Sequence, residues 1–257
     1  MGARSLELTG VAGDRGSRVH RLDPRAKIVG LCGVTVVAVT TPPAHWPVFV
    51  ACGVVLALYA AAARVRPLDV WRRVRVVLPL VLAVGVLLPF VRSGGDSYDV
   101  GTLTVHEAGL TIFAAVAVKA ALGTSIAALL SATTPFPAVL RGLEALHVPR
   151  LLVLVGAFMY RYLFVIAAEV GRMRWALLAR GYRPRHPLHA APAGRIATAM
   201  FLRTYGRGER VYLAMLARGY RGAMPQLAPL SLGRADVAFV AAVALAVVPL
   251  RVIGALP

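Results

Sequence analysis

Asparagine is absent from this 257-residue chain, glutamine occurs once, at Gln226, and lysine twice, at Lys27 and Lys119. That leaves few neutral groups from which to build a polar pocket. Cys32 and Cys52 both lie in apolar runs, without metal-ligand or redox spacing, and read as small apolar packing residues. A phosphate-cradling loop needs Gly-Lys followed by Ser or Thr. Here Ala26 and Val118 precede the two lysines, so the chain is expected not to hydrolyse ATP itself. No Asp or Glu stands in the interior of an apolar run, which disfavours a self-contained secondary transporter relying on intramembrane carboxylates. An enzyme acting on lipid or isoprenoid phosphates would want clustered Asp for magnesium, and no such cluster occurs. Ser125 and Ser131 have no companion His in their run. His186 and His189 flank Pro187 in a loop, a spacing that fits a solvated segment better than a metal site. No catalytic residue, metal ligand or resident cofactor is expected. The first 27 residues are polar and basic without an apolar core, so no cleaved signal is expected.

What is present is hydrophobicity and arginine. The chain is 58% hydrophobic and 16% charged, with a formal net charge of +18. Apolar runs at 26–41, 47–63, 76–91, 108–132, 151–168 and 237–256 approach the roughly 20 residues a helix needs to cross a bilayer. Short loops rich in Arg and Lys favour the cytoplasmic side. The lead-in carries Arg15, Arg18, Arg21, Arg25 and Lys27 and goes inside; 42–46 goes outside. A basic hinge at 64–75 is inside, the loop 92–107 with Asp96, Asp99 and Glu107 is outside, and run four returns inside. Run five has basic flanks on both sides. It is therefore expected to lie within or along the inner leaflet and to continue into the helix that follows. The last run crosses once and leaves the C-terminus outside.

The fold expected is an all-α polytopic membrane protein with about five transmembrane helices and a cytoplasmic domain of long amphipathic helices. Residues 1–132 hold the tail and four spans, 133–234 the cytoplasmic or interfacial helices, and 235–257 the last span. The setting is the plasma membrane of a prokaryote, with the N-terminus cytoplasmic. The lipid bilayer is one partner, and nucleic acid is not.

One polar motif is doubled. Arg172–Arg183 is echoed 38 positions later by Arg210–Arg221, and the run Ala-Arg-Gly-Tyr-Arg is identical in both copies. Met173, Ala176 and Leu177 lead to Arg180; Val211, Ala214 and Met215 lead to Arg218. Both sets follow i, i+3, i+4, i+7 spacing, which puts each arginine at the end of an apolar stripe. Gly181 and Gly219 are placed as left-handed caps, and Pro184 supports the first stop. Attraction to anionic headgroups needs charge but not the same five residues twice. Two matching guanidinium tips point to a protein with two matching sockets, ending in carboxylates that accept a guanidinium's two parallel bonds.

These residues resemble the transmembrane T component of energy-coupling factor transporters, especially its cobalt-type members. The resemblance rests on His20-Arg21-Leu22-Asp23-Pro24-Arg25-Ala26-Lys27, on the Ala-Arg-Gly triplets at 179–181 and 217–219, and on the run-up Arg207–Met215. It implies a subunit that joins two cytoplasmic ATP-binding-cassette ATPases to a small membrane protein that captures the substrate. Arg180 and Arg218 would dock on the ATPases, with Ala179, Gly181, Ala217 and Gly219 shaping the contact. The cargo it implies is cobalt ion, with nickel or a vitamin as alternatives. Small residues at Gly30, Gly33, Ala38, Ala51 and Gly53 are expected to let the first spans pack closely against the capture subunit.

Overall fold

A computed structural model describes residues 17, 19–85, 97–100, 103–182, 191–222 and 231–253. His186, His189 and Asp96 lie outside them, as does most of the basic lead-in. Eight helices and one hairpin are described: α1 (Pro24–Thr40), α2 (Trp46–Ala62), α3 (Pro67–Gly85), β1 (Ser97–Val100), β2 (Leu103–His106), α4 (Glu107–Thr133), α5 (Phe136–Ala145), α6 (Arg150–Ala179), α7 (Ala191–Ala217) and α8 (Arg234–Ile253). The chain divides into two compact units, 1–142 with 230–257, and 143–229.

The first unit is a bundle of α1, α2, α3, α4 and α8. Asp23 starts α1: its side chain accepts from the Arg25 N–H at 2.8 Å, and Pro24 occupies the first turn, where a missing N–H costs nothing. Asp236 ties this start to that of α8. Its carboxylate accepts from the Asp23 N–H at 2.7 Å and from the Gly233 N–H at 2.8 Å, the second being half of a capping box. At the other end the Arg251 guanidinium reaches the Thr40 carbonyl at 3.5 Å. Helices α1 and α8 therefore run parallel, side by side. Their close approach is made possible by Gly30, where an added Cβ would fall 2.8 Å from the Phe239 ring.

The remaining directions follow from polar contacts at the helix ends. Lys27, 1% exposed, donates to the His20 carbonyl at 3.2 Å and to the Thr133 carbonyl at the end of α4 at 3.3 Å. Lys119, midway along α4 and 14 residues before Thr133, donates to the carbonyls of Val39 and Thr41 at 2.9 and 2.8 Å. It thus satisfies carbonyls that the end of α1 leaves open, and α4 runs antiparallel to α1. The Tyr59 hydroxyl meets the Thr133 hydroxyl at 3.0 Å, which places the end of α2 beside the end of α4. Arg73 of α3 binds the Ala128 carbonyl and the Ser131 hydroxyl of α4, while the Phe113 ring fills the space a side chain at Gly85 would need. Helices α1, α3 and α8 point one way and α2 and α4 the other. Leu31, Val34, Val48, Phe49, Cys52, Leu56, Leu122, Leu129 and Val247 fill the middle.

The structure alters three sequence expectations. The basic segment 64–75 is not a loop throughout: α3 begins at Pro67, with Asp69 in its first turn, where the helix dipole favours an acid. Within the expected loop 92–107, residues 97–100 and 103–106 pair as a short antiparallel hairpin with Tyr98 opposite Val105, an addition to an otherwise helical fold. The β-branched and aromatic residues Tyr98, Val100, Thr104 and Val105 favour that pairing. Gly30 and Ala38 are also consumed inside the bundle rather than offered outward, whereas Gly33 faces open space.

Among the described residues two helical segments are long and apolar enough to cross a membrane, Gly109–Thr133 and Arg150–Ala179, and α2 is a shorter apolar helix. These lengths and compositions are consistent with a helical membrane protein.

Candidate functional site

The second unit contains α6 and α7, the helices that end in the doubled motif. Run five and the first motif form one continuous helix, as their unbroken pattern implied. At 30 residues, α6 is about 45 Å long at 1.5 Å per residue. None of its residues is buried within the chain.

Both helices end in the same way. The Arg180 N–H bonds to the carbonyls of Ala176 and Leu177 at 3.2 and 3.1 Å; the Arg218 N–H bonds to those of Ala214 and Met215 at 3.3 and 3.1 Å. Gly181 then turns into the left-handed region at φ +77° and Gly219 at φ +80°. The Gly181 N–H reaches the Leu178 carbonyl at 3.0 Å and the Tyr182 N–H the Leu177 carbonyl at 3.0 Å. In the second copy the Gly219 N–H reaches Leu216 at 2.9 Å and the Tyr220 N–H reaches Met215 at 3.0 Å. These paired bonds are the complete Schellman motif, in which the backbone beyond the glycine folds back to satisfy the last carbonyls. Glycine is favoured there because a Cβ at such φ crowds the following carbonyl.

Residues Ala179 and Ala217 close the two helices, Arg180 and Arg218 are the capping residues, and Gly181 and Gly219 follow them. All six are exposed. Each guanidinium sits where the helix dipole is negative, which stabilises a cation by about 0.3–1 kcal/mol. The apolar stripe is graded: Met173, Leu177, Val211 and Met215 are half-buried, whereas Ala176 and Ala214 are exposed.

Sequence reasoning missed the tyrosines. Tyr182 and Tyr220 occupy the position whose side chain packs back on the helix end in this motif. Tyr182 and Leu177 line one apolar cavity of about 500 Å³ between α6 and α7, together with Val170, Arg174, Ile196 and Met200. The signal was available, since tyrosine follows glycine in both copies. Glu169 was also missed. Its carboxylate receives Arg172 from its own helix and Arg203 of α7, the latter at 2.6 Å. No spacing rule connects residues 34 positions apart.

The profile of the cobalt transport protein family CbiQ matches residues 15–228. The cobalt transport protein CbiQ of Rhodobacter capsulatus is 32% identical over 214 residues, covering 80% of this chain and 84% of that protein. The energy-coupling factor transporter transmembrane protein EcfT of Brevibacillus brevis is 28% identical over 223 residues, covering 80% and 82%. A putative ABC transporter ATP-binding protein of Bifidobacterium longum is 37% identical over 124 residues, 46% of this chain but 15% of that protein. The chain therefore belongs to the CbiQ family of cobalt transport proteins and is a non-catalytic transmembrane component of the energy-coupling factor type.

Proposed function

We propose that the chain couples two cytoplasmic ATP-binding-cassette ATPases to a small substrate-capture subunit in an importer whose cargo is cobalt ion. Arg180 and Arg218 are the docking residues; Ala179, Ala217, Gly181 and Gly219 give each arginine its position. The observation that carries this reading is the congruence of the two helix ends: the same cap, bond for bond, presents the same guanidinium twice on exposed surface. A pair of matched ATPases offers two matched sockets, and the Bifidobacterium longum relative named a putative ABC transporter ATP-binding protein carries a stretch similar to this chain. Carboxylates in those sockets would bind the planar fork through two bonds each.

Helices α1, α2, α3, α4 and α8 are the membrane bundle in this reading. Their alternating directions agree with the arginine asymmetry of the loops, which puts the N-terminus and the motif ends inside. ATP-driven closing of the ATPases moves α6 and α7, and that motion reaches the capture subunit. The Arg180→Glu, Arg218→Glu double variant should insert in the membrane like the wild type but fail to retain ATPase on purification. ATPase retained at wild-type levels would refute the docking role. Cobalt uptake by the reconstituted complex, competed with nickel, tests the cargo separately.

A further inference from the structure

The second unit is strongly unbalanced in charge. Between residues 143 and 229 thirteen arginines stand against three acids, Glu144, Glu169 and Glu209. One of those acids is spent between the two motif helices. The Glu169 side chain is 17% exposed, whereas its partners Arg172 and Arg203 remain 65% and 62% exposed. The carboxylate is thus the sheltered centre of the cluster and the guanidiniums are its rim. One oxygen takes Arg172, three residues along α6; the other takes Arg203, across on α7. Without the carboxylate, Arg172 and Arg203 would face each other as like charges.

Surface ion pairs are generally weak. This one differs in what it connects. Helices α6 and α7 share no extensive buried core: α6 buries no residue, and among the described residues of α7 Met200 is the buried hydrophobic. Where apolar packing is sparse, a single two-armed carboxylate has a large share in fixing how the helices cross. It lies eleven residues before Arg180 on one arm, and Arg203 lies fifteen before Arg218 on the other.

We propose that Glu169 is a positioning residue that pins α6 to α7 through Arg203, so that the two arginine ends are displaced as a pair rather than independently. Glu169 touches neither cargo nor ATPase in this scheme; it acts by holding the angle between the arms. The functional consequence rests on the coupling role proposed above, while the pin itself is a property of this chain. Two ATPases moving apart would then deliver one concerted displacement instead of two uncorrelated ones.

The test separates the cross-helix bond from the local one. Spin labels are placed at exposed positions on the two arms, Trp175→Cys and Leu213→Cys, in a chain carrying Cys32→Ser and Cys52→Ala. The distribution of distances is measured for the full chain in lipid nanodiscs. Arg203→Gln and Glu169→Gln should each broaden it, whereas Arg172→Gln, which removes only the bond within α6, should leave it narrow. In the assembled complex Arg203→Gln should retain ATPase and its ATP hydrolysis but lower cobalt uptake about fivefold, the lower end of typical coupling between two sites. A distribution unchanged by Arg203→Gln, or broadened equally by Arg172→Gln, would overturn the pin. Loss of ATPase binding in the Arg180→Glu, Arg218→Glu chain bears on docking alone, so failure of one idea is distinguishable from failure of the other.

Discussion

The two units solve different problems with the same element. Helices of the bundle bury their residues against each other: Leu31, Val34, Cys52, Leu129 and Val247 are at most 2% exposed. Their ends are tied by polar groups, the buried pairs Asp23 to Asp236 and Lys27 to Thr133, and the half-buried Lys119 to Val39 and Thr41. Helix α6 buries nothing, yet it is the longest helix described and its apolar half leaves Leu151, Leu152, Val155 and Met159 more than half exposed. Regularity in this second unit comes from the helix ends, not from a core. The bundle is locked side by side. In the coupling role proposed above, α6 and α7 are arms that carry a displacement, defined at their tips and at the Glu169–Arg203 contact. Low burial marks the parts of a protein able to shift at small cost.

That contrast can be challenged by substitution. The largest effect is expected in the bundle. Asp236→Ala removes an acceptor from two backbone N–H groups, one of them buried at the start of α1. Hydrogen bonds to charged groups contribute about 1.5–3 kcal/mol each, so a loss of about 3 kcal/mol and a clear drop in the melting temperature of the detergent-purified chain are expected. Gly30→Leu should also destabilise, by about 1–3 kcal/mol, because its side chain would overlap the Phe239 ring. Smaller losses are expected at the tips. Gly181→Ala and Gly219→Ala each impose a positive φ on a residue with a Cβ, at about 1–2 kcal/mol per site. That should fray the helix end, visible as faster amide exchange at Leu178 and Leu216, while the bundle melts unchanged. If the tip variants lowered the melting of the bundle as much as Asp236→Ala does, the two regions would not be energetically separate. The smallest effect carries the opposite sign. Gly208 lies in the interior of α7, and a Cβ there would meet nothing within 4 Å. Gly208→Ala should stabilise α7 by about 0.5–1 kcal/mol, read as slower exchange along that helix.

Much of the bundle was legible from the chain alone. Apolar runs at 26–41, 47–63, 108–132 and 237–256 lie within two or three residues of the observed ends of α1, α2, α4 and α8, because a chain with so few polar residues marks its breaks with Pro, Arg and Asp. Run three misled because its helix begins nine residues earlier, among arginines. Arg73 is not a loop residue but stands on α3 and reaches Ala128 and Ser131 with its guanidinium. The hairpin escaped because strand pairing is a relation between segments, and 97–106 is too short for a periodic signal. At the candidate site, the left-handed glycines followed from residue type and spacing. Tyr182 and Tyr220 needed the geometry of the turn, and the link from Glu169 to Arg203 needed the three-dimensional crossing, which no local pattern encodes.

The central claim is that two congruent arginine ends face the cytoplasm and are covered by a pair of ATPases. It is tested most directly by placing one cysteine at a time, Arg180→Cys or Arg218→Cys, in the Cys32→Ser, Cys52→Ala chain and treating oriented membrane vesicles with a membrane-impermeant maleimide. Both positions should label from the cytoplasmic face and not from the other, and assembly with the ATPases should protect both to a similar degree. Labelling from the external face, or protection of one position and not its twin, would contradict the account.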